Sequence, residues 1–409
     1  MMRRLALACI AALLAAFPAM AQQEPIKIGL LAPLTGVVAA GGKDMVDGWN
    51  LFWQQHGTKI AGREVEVIVE DDASVPDTAL TKARRLVQQR GVHMIVGNLL
   101  ANTGLAVAEY VKGTGTPYFI PIVAADDLTQ RQRIPNVIRV AGFTASQLTR
   151  PLAEWALKRG YKNIVTISQD YTFGHEQVGG FVQVFSQGGG KILQQIWHPL
   201  NSADYSPYLA QIQSLRPDAV FAMENGADAV RLLDQWSSFG LKGQIPLITT
   251  QNSTDQSVIR GMGEQALDIV SAGHFAEGNP APATKAFVEA YEKAYGKLPA
   301  MFSAAMYSGA LWIAKAIENV GGDVEDKDKF LAAIRATRIP ESPLGPLLLD
   351  DYGNPVWDVH IRRVVKREDG KLWNVPFETF PKVSQFWTYD PEEYLKKPPF
   401  SRSFQDISK

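Results

Sequence analysis

The chain has 409 residues, 46% hydrophobic and 20% charged, with 41 Lys+Arg against 42 Asp+Glu for a formal net charge of -1. That balance argues against a nucleic-acid binder, and the apolar content excludes a disordered chain. One cysteine excludes an intrachain disulfide and a cysteine-built zinc site, while the length allows roughly two or three domains.

Arg3 and Arg4 precede an apolar run from Leu5 to Phe17, and Ala19-Met20-Ala21 follows it. A charged start, a short apolar stretch and small residues at alternate positions predict a secretory signal peptide, cut near Ala21. The run is too short to span a bilayer. Cys9 would leave with it. No second long apolar run follows, so an exported chain with no direct membrane span is expected.

Short β-rich runs recur at residues 26–32, 64–70, 93–97, 117–121, 163–168, 219–223 and 246–249. Helical patterns lie between them at 44–55, 77–89, 103–111, 146–158, 175–186 and 227–239. Runs such as Ile95-Val96-Gly97 are almost wholly apolar, as strands covered on both faces should be. Alternating strand and helix predict parallel sheets with crossover connections. The alternation forms two series, one from about residue 26 to 140 and one from about 146 to 270. A helical stretch at 281–320 follows, then alternating runs at 358–366 and 371–380 around Glu368-Asp369-Gly370, which predict a β-hairpin. The tail after Pro381 is aromatic and proline-rich, and is expected to wrap a domain surface.

Catalytic patterns are scarce. The chain has no G-x-S-x-G elbow and no G-x-x-x-x-G-K-[ST] phosphate loop, and Leu31–Gly36 lacks G-x-G-x-x-G. None of the six histidines pairs with another at helical ligand spacing, so neither a metal nor a cofactor is expected. Glu70, Asp71 and Asp72 form an acidic cluster, expected to be a solvated strand end, with a part in lobe closure as the alternative.

Ligands of parallel α/β sheets bind beyond the carboxyl ends of the strands. Three polar loops stand there. In Asn98–Thr103, the residues Leu99, Leu100, Ala101, Asn102 and Thr103 open a helix whose free amides would attract an anion, or are capped by Asn102 or Thr103. The second, Ser168–Gly174, carries Tyr171 and Phe173, which stack on a ligand or pack on neighbouring loops. The third is Glu224-Asn225-Gly226.

At these loops the chain resembles the type I periplasmic binding proteins, the leucine/isoleucine/valine-binding family of ABC-transporter receptors. The resemblance rests on residues 28–36, then Val69-Glu70-Asp71-Asp72, Ile95-Val96-Gly97, Asp127-Leu128-Thr129, Arg139-Val140-Ala141-Gly142 and residues 170–174, and covers roughly 26–338. It implies an α/β fold of two Rossmann-like lobes with parallel sheets, joined by a three-segment hinge near 139–143, 271–275 and 344–350. Lobe 1 would comprise 22–140 plus 272–346, lobe 2 141–271 plus 347–385, after a signal peptide at 1–21 and before a wrapping tail at 386–409. It further implies a non-enzymatic, monomeric receptor in the periplasm that captures a small molecule by hinge closure and hands it to an inner-membrane ABC permease.

Departures from the family point to the ligand. Ala101 and Ala124 stand where amino-acid-binding members use Ser and Thr, Gly41 and Gly226 where they use aromatics, and uncharged Thr250 and Gln251 near their ammonium-pairing Glu. A buried ammonium with no partner is costly, so a zwitterion should bind poorly. The resemblance points to the branch that captures aromatic acids. The acid group would rest on amides at 101–103, among Ile122, Val123, Ala124, Tyr171, Phe173, Glu224, Asn225, Gly226, Gln251, His274, Phe275 and Phe302. An alignment shifted by one residue would instead keep Asn102 and Thr103 as polar anchors. A branched-chain amino acid or amide receptor, a sensory ligand-binding protein and an unrecognised hydrolase are the alternatives.

Overall fold

The computed structural model describes residues 24–407, so the expected signal peptide lies outside the described residues. The first series runs β1 (Ile26–Ala32), α1 (Ala39–His56), β2 (Lys59–Ile60), β3 (Arg63–Asp71), α2 (Pro76–Gln88), β4 (Met94–Gly97), α3 (Ala101–Thr114), β5 (Tyr118–Phe119) and β6 (Val137–Ile138). The second runs α4 (Ala145–Lys158), β7 (Asn163–Gln169), α5 (Thr172–Gln187), β8 (Lys191–His198), α6 (Ser206–Leu215), β9 (Ala219–Met223), α7 (Gly226–Ser238), β10 (Leu247–Thr250), α8 (Gln256–Ile259) and β11 (Val270–Gly273). Then come α9 (Pro282–Tyr295), α10 (Met301–Asn319), α11 (Lys327–Ala336), β12 (Trp357–Lys366), β13 (Leu372–Val383) and α12 (Pro391–Lys396).

The strands form two sheets, ordered β2-β3-β1-β4-β5-β6 and β13-β12-β11-β10-β9-β7-β8. Central strands such as β4 and β9 are buried along their whole length, which explains their unbroken apolar sequence. β3 alternates buried and exposed positions and so reads as Arg-Glu-Val-Glu-Val. The two lobes are parallel sheets except at their edges. β2 joins β3 antiparallel, and β12 and β13 extend the second sheet antiparallel from β11. The turn between β12 and β13 is too short for a crossover, so only an antiparallel partner is reachable. The expected strand at 117–121 pairs over only Tyr118–Phe119, because flanking Pro117 and Pro121 have no N–H to give.

Helices α1 and α10 pack together against the first sheet, and α10 lies far along the chain from the strands it covers. The chain therefore returns from the second sheet to the first and back again. The crossings meet in a buried knot. The His274 ring lies 4.9 Å from Phe143 and 5.1 Å from Trp357. Trp357 Nε1 donates to the Gly142 carbonyl at 2.7 Å. Arg139, fully buried, donates to the carbonyls of Val123 and Ala125 and to Asn354 Oδ1.

The tail lies on α4 and α5. Arg150 of α4 donates to Tyr394 Oη at 2.7 Å, and its guanidinium sits 5.7 Å from the Phe400 ring centre. Among the described residues no helix is long and apolar enough to cross a membrane.

Candidate functional site

Register places the strand tips level: Leu31 of β1 opposes both Glu70 of β3 and Gly97 of β4, and Thr250 of β10 opposes Ala272 of β11. The loops beyond these tips face one another across the lobes. Between them lies a cavity lined by Leu99, Leu100 and Ala101 after β4, Ile122 and Ala124 after β5, and Phe143 from the first crossing. The opposite wall is Tyr171 and Phe173 after β7, Asn225 after β9 and Asn252 after β10, with Met301 and Phe302 of α10 closing one side. About 280 Å³ of space lies between its walls, part of it open to solvent, and about 10 Å³ admits the centre of a water molecule. That is room for one water. No lining side chain is charged. A wider groove, in which about 630 Å³ admits the centre of a water molecule, opens to solvent beside Trp236, Lys242 and Asp268, but it lies at the amino ends of β10 and β11 and collects no strand tip.

Tyr171, Asn225 and Asn252 supply the polar side chains. Asn252 Nδ2 donates to Asn225 Oδ1 at 2.8 Å, and Asn225 Nδ2 donates to Tyr171 Oη at 2.7 Å. The Asn225 amide is held by Gln169 Oε1 at 3.1 Å. Burial drives the Tyr171 phenol well above its ordinary pKa, so it keeps its proton and remains a donor. Tyr171 and Phe173 meet with ring centres 6.1 Å apart. Phe302 occupies the space that a side chain at Gly41 would take, with its Cε2 2.8 Å from where a Cβ would stand.

On the facing wall α3 starts at Ala101. Thr103 Oγ1 donates to the Leu100 carbonyl at 2.9 Å, and Asn102 Oδ1 accepts from the Thr103 amide at 3.0 Å. Both side chains are spent on the helix start and neither lines the cavity. The amides of Ala101 and Asn102 have no protein acceptor among the described residues, and they carry the positive end of a 14-residue helix.

Other expected site residues also lie elsewhere. The Val123 side chain packs on Gly104 of α3, and its carbonyl accepts from Arg139. Glu224 is fully buried behind β9, bonded to His198 Nε2 at 2.7 Å and Tyr205 Oη at 3.2 Å; burial raises its pKa to about 7. Gln251 turns to His274, with Nε2 2.8 Å from Nδ1. His274 sits one layer behind Phe143, and burial lowers its pKa to about 3. Phe275 lies edge-on to Phe287 of α9 at 6.2 Å. Gly226 meets the opposite lobe, and a Cβ there would stand 2.5 Å from the Val37 carbonyl oxygen.

Phe143, Asn252 and Met301 line the cavity without having been expected there. Asn252 and Met301 each adjoin a residue that was singled out, and Phe143 lies within the expected first crossing. The acidic cluster is not a solvated strand end. Asp72 is buried and accepts from Asn98 Nδ2 at 2.6 Å. Asp71 accepts from the Leu34 amide at 2.8 Å and the Thr35 hydroxyl at 2.7 Å, bracing the β1–α1 loop. Among the described residues no group of three or more His, Cys, Asp or Glu side chains could hold a metal ion.

Residues 25–371 match the family model described as periplasmic binding protein. Leu/Ile/Val-binding protein homolog 6 of Brucella melitensis is 29% identical over 388 residues, covering 93% of this chain and 98% of that one. An ABC transporter substrate-binding protein from Sphaerobacter thermophilus superposes with a TM-score of 0.82 at 34% identity, over 88% of this chain and 99% of the other. A solute-binding protein of an ABC transporter from Rhodopseudomonas palustris BisB5, solved with 3,4-dihydroxybenzoic acid, superposes with a TM-score of 0.84 at 30% identity, over 88% of this chain and 98% of the other. With two wound lobes, a threefold crossing and a cavity between the strand tips, the chain belongs to the periplasmic binding protein family, as the solute-binding component of an ABC transporter.

Proposed function

We propose that this receptor captures an aromatic carboxylate of the benzoate or phenylpropanoid type, by closing its lobes on the ring, and delivers it to an inner-membrane permease. One observation carries the reading: the cavity is walled by Phe143, Tyr171, Phe173 and Phe302 and contains no carboxylate. An α-ammonium would be buried with no anion beside it, at a cost of several kcal/mol. An acid group would meet the Ala101 and Asn102 amides at the positive end of α3. The Rhodopseudomonas neighbour solved with 3,4-dihydroxybenzoic acid supports the same class. A ring can enter the void only when the lobes part, and the lobes then close over it, so binding is coupled to hinge motion. The receptor acts as a monomer in the periplasm and performs no chemistry on its guest.

Thermal shift over benzoates, cinnamates and the common amino acids tests this. Aromatic acids should raise the melting temperature in proportion to ln(1 + [L]/Kd). A larger shift from leucine, isoleucine or valine would make the chain an amino-acid receptor, as the name of the Brucella relative suggests. Turnover of any acid would make it an enzyme.

A further inference from the structure

The residues Tyr171, Asn225 and Asn252 follow β7, β9 and β10, which are consecutive in the second sheet. Their hydrogen bonds form a relay across the three strand tips, running from Asn252 Nδ2 through Asn225 to Tyr171 Oη. The relay has two free ends. At one, the Tyr171 hydroxyl accepts from Asn225 and so keeps its own proton to donate. At the other, Asn252 Oδ1 has no hydrogen-bond partner among the described residues, although Asn252 is only 5% exposed and lines the cavity. A buried carbonyl oxygen left unpaired is costly, and a carboxylate, which only accepts, cannot relieve it.

We infer that Asn252 selects a ligand bearing a hydroxyl as well as a carboxylate: the ligand's phenolic O–H donates to Asn252 Oδ1, and the acid group lies on the α3 amides. The inference rests on the aromatic-acid reading above and goes beyond it in naming the second functional group and the atom that reads it. The same three side chains can be bonded in the opposite sense, Tyr171 to Asn225 to Asn252. Asn252 would then end in a free N–H, and the preference would be for a ligand with an added acceptor. Ligands that differ only in a donor separate the two senses.

The test is titration calorimetry on the full mature chain with benzoate, 3- and 4-hydroxybenzoate and the matching methoxybenzoates. One hydroxy isomer should bind on the order of five- to a hundredfold more tightly than both benzoate and its methoxy counterpart, the range expected for satisfying one buried acceptor. Asn252→Leu should reduce that preference to about twofold or less. The wild-type series alone decides the matter if the variant does not fold. Equal binding of benzoate and every hydroxybenzoate overturns the inference and leaves the aromatic-acid reading standing. Preference for the methoxy acids overturns it in favour of the reversed relay. Binding of none of these acids removes both.

Discussion

A methyl group at position 41 would stand 2.8 Å from Phe302 Cε2 and 3.1 Å from Leu99 Cδ1, so the glycine in α1 is what lets both side chains reach the cavity wall. Gly41→Ala should push Phe302 inward. Overpacking costs about 1–3 kcal/mol, and the better helix propensity of alanine offsets about 0.5–1 kcal/mol of it. The ligand-free melting temperature should therefore move little, while affinity for an aromatic acid falls about tenfold, or ~1.4 kcal/mol. Calorimetry showing undiminished affinity would place Phe302 outside the ligand's reach. Residue-scale features were the least legible in the sequence. Thr250, Gln251 and Asn252 are three consecutive polar residues, and only Asn252 lines the cavity, because a 3-10 turn over Gln251–Thr254 rotates each one differently. Glu224 is absorbed by His198, 26 positions away, a pairing that no local pattern announces.

Elements were far more legible than side chains. β1, β4, β7, β9 and β10 announced themselves because strands covered on both faces are largely apolar. β6 and β8 did not: β6 pairs over two residues beside β5, and β8 is a half-exposed edge strand of mixed character. The hinge crossings were placed by resemblance, and the knot they form has a pH signature that belongs to this level. His274, between Phe143 and Trp357, has a folded pKa of about 3 against an ordinary 6.5, with burial the main cause and Arg362 adding to it. Between those values the unfolded chain binds the extra proton. His274 thus contributes stability that is complete above pH 6.5 and is lost as pH falls toward 3. Against a His274→Gln variant, the wild type should lose about 3 kcal/mol more between pH 7 and pH 4, read from urea midpoints. Buried carboxyls with raised pKa, such as Glu176 and Glu277, act in the opposite direction but are common to both proteins. Parallel pH profiles would mean that protons reach His274 without unfolding.

At the scale of the whole molecule, the lobes touch at points remote from the hinge. The Ala227 amide lies 3.4 Å from the Val37 carbonyl, Arg260 Nη2 lies 3.1 Å from Asp44 Oδ2, and the Met301 amide donates to Asp255 Oδ2 at 2.7 Å. Alternating strand and helix made the two-lobed plan legible, but these contacts depend on the closing angle, which no sequence pattern encodes. Gly226 tests them most directly. Its φ is +55°, and a Cβ would stand 2.5 Å from the Val37 oxygen across the cleft. Gly226→Ala therefore carries two costs of different kinds. The left-handed backbone costs about 1–2 kcal/mol in the open and the closed forms alike, because it lies within one lobe. The clash with Val37 exists only when the lobes meet, so it acts on the closing equilibrium. Each 1.4 kcal/mol lost from the closed form lowers apparent affinity about tenfold once closed molecules are the minority. The variant should show a larger radius of gyration by small-angle X-ray scattering, and at least tenfold weaker binding, with a melting temperature lowered only by the local strain. Wild-type scattering and affinity in the variant would mean that the β1–α1 loop yields to α7 and plays no part in setting closure.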